Sequence, residues 1–141
     1  MPEPAKTPFA VGDTLPPRTW MPTEVQLFLF SAATWNSHRI HYDREYARQE
    51  GYPDVLVQSH LHAAVIADAV RSFCGAGARL TAIGWQNRGP AVPGDTLSVT
   101  GTVTRVEHGH AGLEVAFEFA ERNQRDELCV TGTATALVPE G

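Results

Sequence analysis

Hydrophobic and polar positions change period once along this chain, near Arg79. Before it the apolar residues recur at helical spacing or in solid runs, and after it they alternate with polar ones. Thr23 followed by Gln26 has capping-box spacing. The run Val25, Leu27, Phe28, Leu29 and Phe30 is apolar almost all round, which predicts a first helix buried on several sides and ending near Trp35. A short second helix is predicted from Arg44 to Glu50, stopped by Gly51 and by Pro53, which disfavours helix at Tyr52. Ser59 is the expected N-cap of a third helix of about 15 residues. Its inward stripe is read as Leu61, Ala64, Val65, Asp68, Ala69 and Ser72, with Gly75 and Gly77 ending it. Its alanines, Ala63, Ala64, Ala67 and Ala69, form helix readily and would let a sheet come close.

Beyond Arg79 the alternation predicts strands. Leu80, Ala82 and Gly84 oppose Thr81, Ile83 and Trp85, and Leu97, Val99, Gly101 and Val103 alternate with Ser98, Thr100, Thr102 and Thr104. Leu113, Val115, Phe117 and Phe119 alternate with Glu114, Ala116 and Glu118, and a last run spans Leu128 to Ala136. Turn signals at Pro93-Gly94-Asp95, Glu107 to Gly112 and Asn123 to Asp126 suggest a meander of hairpins. Residues 1–22 hold six of the ten prolines, so an extended segment is expected there, with at most a short edge strand near Thr19 and Trp20. The class is α+β, helices first and then an antiparallel sheet around the long helix, and the expected organisation is one domain over residues 1–141.

Composition narrows the function. A net charge of -5 with 19% charged residues and no Lys/Arg run lacks the basic footprint of a nucleic-acid binder. No apolar run approaches the ~20 residues of a membrane span, so the expectation is a cytoplasmic protein with no membrane partner. Cys74 and Cys129 are far apart and in apolar surroundings, as suits reduced, buried thiols.

Chemistry concentrates between Ser31 and Val70, where four of the six histidines lie. Asn36 to Asp43 packs an amide, two imidazoles, a guanidinium and a carboxylate into eight residues. His41, with an unperturbed pKa of about 6.5, suits general acid/base work; a loop histidine satisfying backbone groups is the plainer alternative. Asp43 is read as a cap for the second helix rather than a partner for an imidazole. The spacings His38-x-x-His41, His60-x-His62 and His108-x-His110 invite a metal reading, but none has a cysteine or carboxylate at a zinc-motif spacing, and no metal is expected.

Asn36-x-His38-Arg39-Ile40-His41-Tyr42-Asp43, with Glu50-Gly51-Tyr52-Pro53, Val57-Gln58-Ser59-x-Leu61 and Ala91-Val92-Pro93-Gly94-Asp95, resembles the MaoC-like hotdog hydratases and dehydratases. The likeness is greatest to the branch of type 2 hydroxyacyl-thioester dehydratases and mesaconyl-CoA hydratases, and covers the chain from about Val25 onward. It implies a hotdog fold, reversible hydration of an enoyl thioester, and no cofactor beyond the CoA or acyl-carrier thioester that is the substrate. It also implies a dimer with an identical or related hotdog chain. The family's aspartate and histidine, five residues apart, fall on Asn36 and His41, so the implied catalytic residues are Asn36, holding a water, and His41, exchanging its proton. The family's His-Gly pair before the central helix is here Gln58-Ser59, and the implied substrate contacts are the helix-start N–H groups of Ser59 and His60, with His38 steadying His41. A thioesterase and a non-catalytic, partner-dependent thioester-binding subunit are the alternatives from other classes.

Overall fold

The computed structural model describes residues 8–140. Its elements are β1 (Arg18–Trp20), α1 (Glu24–Thr34), a 3-10 turn (Arg39–His41), α2 (Arg44–Gln49), α3 (Ser59–Cys74), β2 (Arg79–Asn87), β3 (Leu97–Gly109), β4 (Gly112–Arg122) and β5 (Leu128–Val138). The strands form one antiparallel sheet in the order β1-β3-β4-β5-β2. The sheet curls around α3, whose Leu61, Ile66, Val70 and Cys74 join Val99, Val103, Phe117, Val130 and Ala134 in the core. This is the wrapped-helix arrangement that the resemblance implies.

Local chemistry explains the helix limits. The Thr23 hydroxyl accepts from the Gln26 N–H at 3.1 Å, and Trp35 ends α1 in the left-handed region with φ 56°. Asp43 caps α2 by accepting from the Tyr46 N–H at 3.1 Å, and Gly51, with φ 93°, follows its end. The N-terminal segment runs along the edge of β3. Leu15 N–H donates to Gly101 O at 2.9 Å, and β1 pairs Thr19 with Ser98. The expectation for residues 1–7 lies outside the described residues.

Four expectations need correction. Only Leu27 and Ser31 of α1 are buried, whereas Val25, Phe28 and Leu29 are 59–67% exposed, because a single face of the helix meets the start of α3 and no described residue covers the other. Ser59 does not cap α3. Gln58 holds the cap position without a side-chain cap bond, and Ser59 is already helical. The inward stripe of α3 is Leu61, His62, Ala63, Ile66, Ala69, Val70 and Cys74, so Ala64 and Asp68 face out. Lastly, only β3, β4 and β5 form a meander, since β2 pairs with β5 at the far side of the sheet and the chain crosses over to reach β3.

Three register shifts interrupt the strands, at Leu80/Ala82, Val103/Arg105 and Glu121/Arg122. One between Leu80 and Ala82 puts Leu80, Ile83 and Trp85 on the inner face, and one between Val103 and Arg105 turns Val106 inward. Cys74 and Cys129 are free and buried, and burial pushes each thiol up to about 11, leaving them unreactive near neutral pH.

At Gly132 of β5 a Cβ would collide with the Gly84 carbonyl oxygen and lie 2.6 Å from Phe119 Cζ. Gly132→Ala should therefore cost about 1–3 kcal/mol, the usual range for forcing an extra carbon into a packed core, read as a lowered midpoint in urea unfolding.

Candidate active site

Three short segments converge at the N-terminal end of α3. The 3-10 turn carries His41, the extended stretch Val55 to Val57 runs beside it, and the loop after β2 closes the far side. The backbone ties them: Leu56 N–H donates to Ile40 O at 2.8 Å, and Val57 N–H donates to Ala91 O at 2.9 Å. A cavity of about 460 Å3 lies among them, lined by Asn36, His41, Ser59, His60 and His62, with Ile40, Val57 and Ala91 among its apolar walls. Four of the five residues expected at the site thus share one cavity.

His41 is 8% exposed, and its Nδ1 lies 2.8 Å from the Leu56 carbonyl oxygen. A carbonyl only accepts, so the proton sits on Nδ1 and Nε2 keeps its lone pair. Burial holds the imidazole below its usual pKa. The Leu56 bond opposes that shift, and the neighbouring His38 adds to it. His41 is therefore a neutral imidazole with a basic Nε2 near pH 7.

Asn36 follows the left-handed end of α1 and anchors there through its N–H to Ser31 O at 3.0 Å. Its Oδ1 accepts from the His38 N–H at 3.3 Å, which leaves the amide Nδ2 as a donor without a partner among the described residues. His38 stands outside the cavity lining. It is exposed, and its Nδ1 accepts from the Ile40 N–H at 3.3 Å to cap the 3-10 turn. Its ring meets that of His41 edge-on at 6.1 Å with no hydrogen bond, so the steadying partner of His41 is the Leu56 carbonyl. Asp43 is occupied twice over. The Tyr46 N–H and the Arg39 guanidinium, at 2.7 Å, hold its carboxyl below the usual range.

At the start of α3 the Ser59 and His60 N–H groups have no backbone partner among the described residues, as expected of the first turn of a helix, and they carry the positive end of its dipole. The Ser59 hydroxyl accepts from Trp85 Nε1 at 2.9 Å, and the His60 ring stands edge-on to Trp85 at 5.2 Å, so β2 fixes this turn from the side. Gln58 is fully buried and donates to Leu27 O at 2.7 Å and Ser31 Oγ at 2.9 Å, tying the start of α3 to α1.

Sequence reasoning missed a buried cluster behind this cavity. His62 Nδ1 pairs with Glu121 Oε1, and Glu121 Oε2 accepts from Trp20 Nε1 at 2.8 Å, with Glu121 wholly buried. The signal was present: Glu121 continues the inward phase of Leu113, Val115, Phe117 and Phe119. No three His, Cys, Asp or Glu side chains converge in a metal-binding group among the described residues. Nor is any of their helices long and apolar enough to cross a membrane.

Residues 2–93 match the family model of hydroxyacyl-thioester dehydratase type 2. The chain belongs to that family. Over 77 residues it is 46% identical to a mesaconyl-C(4)-CoA hydratase of Chloroflexus aurantiacus, a match that covers 50% of this chain and 26% of that protein, so the chain spans about a quarter of the length of that relative. Among solved structures, an R-hydratase of Pseudomonas aeruginosa superposes with a TM-score of 0.82 at 25% identity, covering 94% of this chain and 84% of the other. The (R)-hydratase of A. caviae gives 0.85 at 18% identity over 94% and 98%. A chain of the Mycobacterium tuberculosis ChsH1-ChsH2 complex gives 0.82 at 24% identity over 92% and 98%. The last two establish the shared hotdog fold.

The direction of the His41 shift can be measured. Its imidazole should titrate below 6.5, with the proton on Nδ1 in the neutral form, followed by nitrogen-15 NMR of the ring. Because the folded pKa lies below the unfolded one, the neutral ring's contribution to stability is complete above about pH 6.5. It is lost as the pH falls from there through the folded pKa.

Proposed function

We propose that this chain catalyses the reversible hydration of a 2-enoyl thioester to the 3-hydroxyacyl thioester, with CoA or an acyl carrier protein as the thiol. The observation that carries the reading is the meeting, in one cavity, of a neutral histidine with a basic Nε2, an amide donor and a helix start with free N–H groups. In the hydration direction, the Asn36 amide donates to the oxygen of a water and leaves its protons directed at His41. His41 Nε2 takes one proton as the water oxygen bonds to the β-carbon. The double-bond electrons move through the α-carbon to the thioester oxygen, where the Ser59 and His60 N–H groups hold the developing charge. The proton then passes from His41 to the α-carbon, restoring the neutral ring. No metal or redox group is required by this sequence. A thioesterase would need a carboxylate base at the thioester, and no Asp or Glu lines the cavity among the described residues.

A partner chain belongs to the proposal. Val25, Phe28, Leu29 and the 94% exposed Trp35 leave the apolar side of α1 uncovered, and the outer edge of β2 is unpaired among the described residues. Both favour a second hotdog chain, identical or related, against this surface. The substitution of Asn36 for the family's aspartate is the observation that favours the second reading, in which full activity requires an unlike partner. Gln58, where the family has a histidine, has a structural task between α1 and the start of α3 and does not bear on that reading.

His41→Ala should lower turnover roughly a hundredfold or more while the protein stays folded, measured as loss of enoyl absorbance on hydration of a CoA ester. Unchanged turnover would refute the assignment. Wild-type kcat/KM should fall on the acid side with a midpoint below 6.5, as the His41 base becomes protonated. Turnover by the purified chain alone would reject the need for an unlike partner, and activity that appears only on adding a second chain would establish it.

A further inference from the structure

The hydration mechanism uses only the main chain of Ser59 and leaves its hydroxyl without a task. That hydroxyl is also where this chain departs from the family's His-Gly pair, since a glycine offers none. In a helix each Cα–Cβ bond tilts toward the N-terminus. Ser59 is the first residue of α3, so its side chain leans toward the same end as the free N–H groups of Ser59 and His60. It is partly buried and lines the cavity that Asn36 and His41 also line.

The neighbour of this hydroxyl settles what it can offer. Trp85 Nε1, on β2, lies 2.9 Å from Ser59 Oγ, and an indole nitrogen only donates. Oγ is therefore the acceptor in that bond, and its own hydrogen points elsewhere. Ser59 Oγ has no other hydrogen-bond partner among the described residues, so this hydrogen remains for a ligand. The accepted bond also polarises the O–H and makes it a better donor. No imidazole or carboxylate among the described residues bonds the hydroxyl, so it has no base to turn it into a nucleophile. Trp85 itself does not line the cavity.

We propose that the Ser59 hydroxyl is a catalytic residue, a third donor to the thioester oxygen beside the Ser59 and His60 N–H groups, and that Trp85 is the residue that positions it. This rests on the hydratase reading and adds a side chain to its oxyanion site. As the water oxygen bonds to the β-carbon, the double-bond electrons collect on the thioester oxygen, and the hydroxyl's hydrogen bond strengthens with that charge. Ser59 keeps its proton throughout. When the α-carbon takes the proton held by His41, the electrons return from the enolate and the carbonyl is restored.

The test compares wild type, Ser59→Ala, Trp85→Phe and the double variant in hydration of 2-butenoyl-CoA, in the assembly, alone or with a second chain, in which the wild type is active. Ser59→Ala should lower kcat roughly tenfold or more, toward the hundredfold usual for loss of one oxyanion donor, with KM within about threefold. The acid-side midpoint of kcat/KM should stay in place, because His41 is untouched. Trp85→Phe keeps a ring beside His60 but loses the N–H. It should lower kcat several-fold in the wild type and leave it unchanged in the Ser59→Ala background. A smaller loss in Ser59→Ala would overturn the proposal. So would a Trp85→Phe effect that is absent or equal in both backgrounds, or an acyl adduct on Ser59 detected by mass spectrometry. Infrared difference spectra of bound butyryl-CoA, carbon-13 labelled at the thioester carbonyl, supply a readout without turnover. The carbonyl stretch should fall below that of the free ester in the wild type and recover part of the way in Ser59→Ala, equal positions in the two counting against the proposal. Should no ester be hydrated, the hydratase reading fails on its own, and the infrared shift still decides the role of the hydroxyl.

Discussion

Gln58 makes the contact on which the site depends. Its amide, buried between α1 and the start of α3, donates to the Leu27 carbonyl and the Ser31 hydroxyl, with its own Oε1 left without a partner among the described residues. Leaving a buried amide oxygen unmatched costs on the order of 1–3 kcal/mol, so the two bonds made by Nε2 have to outweigh that loss. The geometric result is that the end of one helix and the beginning of another are held together. Asn36 hangs from the first and the free N–H groups of Ser59 and His60 open the second. The 3-10 turn with His41 fills the space between.

The same economy governs proton placement. Of the three imidazoles that line the cavity, His41 and His62 each have an oxygen behind the ring. A carbonyl behind His41 fixes the proton on Nδ1 and leaves the lone pair on Nε2. Behind His62 stands the buried carboxylate of Glu121, which the Trp20 indole N–H also holds. One residue type thus stands against two kinds of oxygen, a main-chain carbonyl and a buried carboxylate, and that oxygen sets how each ring is held.

Most of this was legible in the residues for identifiable reasons. Thr23, Asp43 and Gly51 mark helix limits through short-range rules, and the alternation from Leu97 onward reports its own strands. The pairing of β2 with β5 was not legible, because strand order depends on how the sheet closes around α3 rather than on any local signal. The stripe of α3 is hard to read because small residues on both faces blur the helical period, and the bulges in the sheet shift phase where alternation alone runs on. His41 stood out by its company, yet its orienting partner is a main-chain oxygen of Leu56, and every residue has one. Apolar residues around α1 were read as burial within the chain. They instead mark a surface that this chain does not itself cover.

The placement of the three tryptophans gives the molecule a built-in optical division of labour. Trp85 bonds the serine at the helix start, Trp20 bonds the buried carboxylate, and Trp35 stands almost wholly in water. Indole emission moves to shorter wavelength as the ring leaves water. A change at the helix start, at the inner wall or on the apolar side of α1 would therefore colour a different indole. Chains keeping one tryptophan at a time, with phenylalanine at the other two positions, would report separately on these three places in the fold.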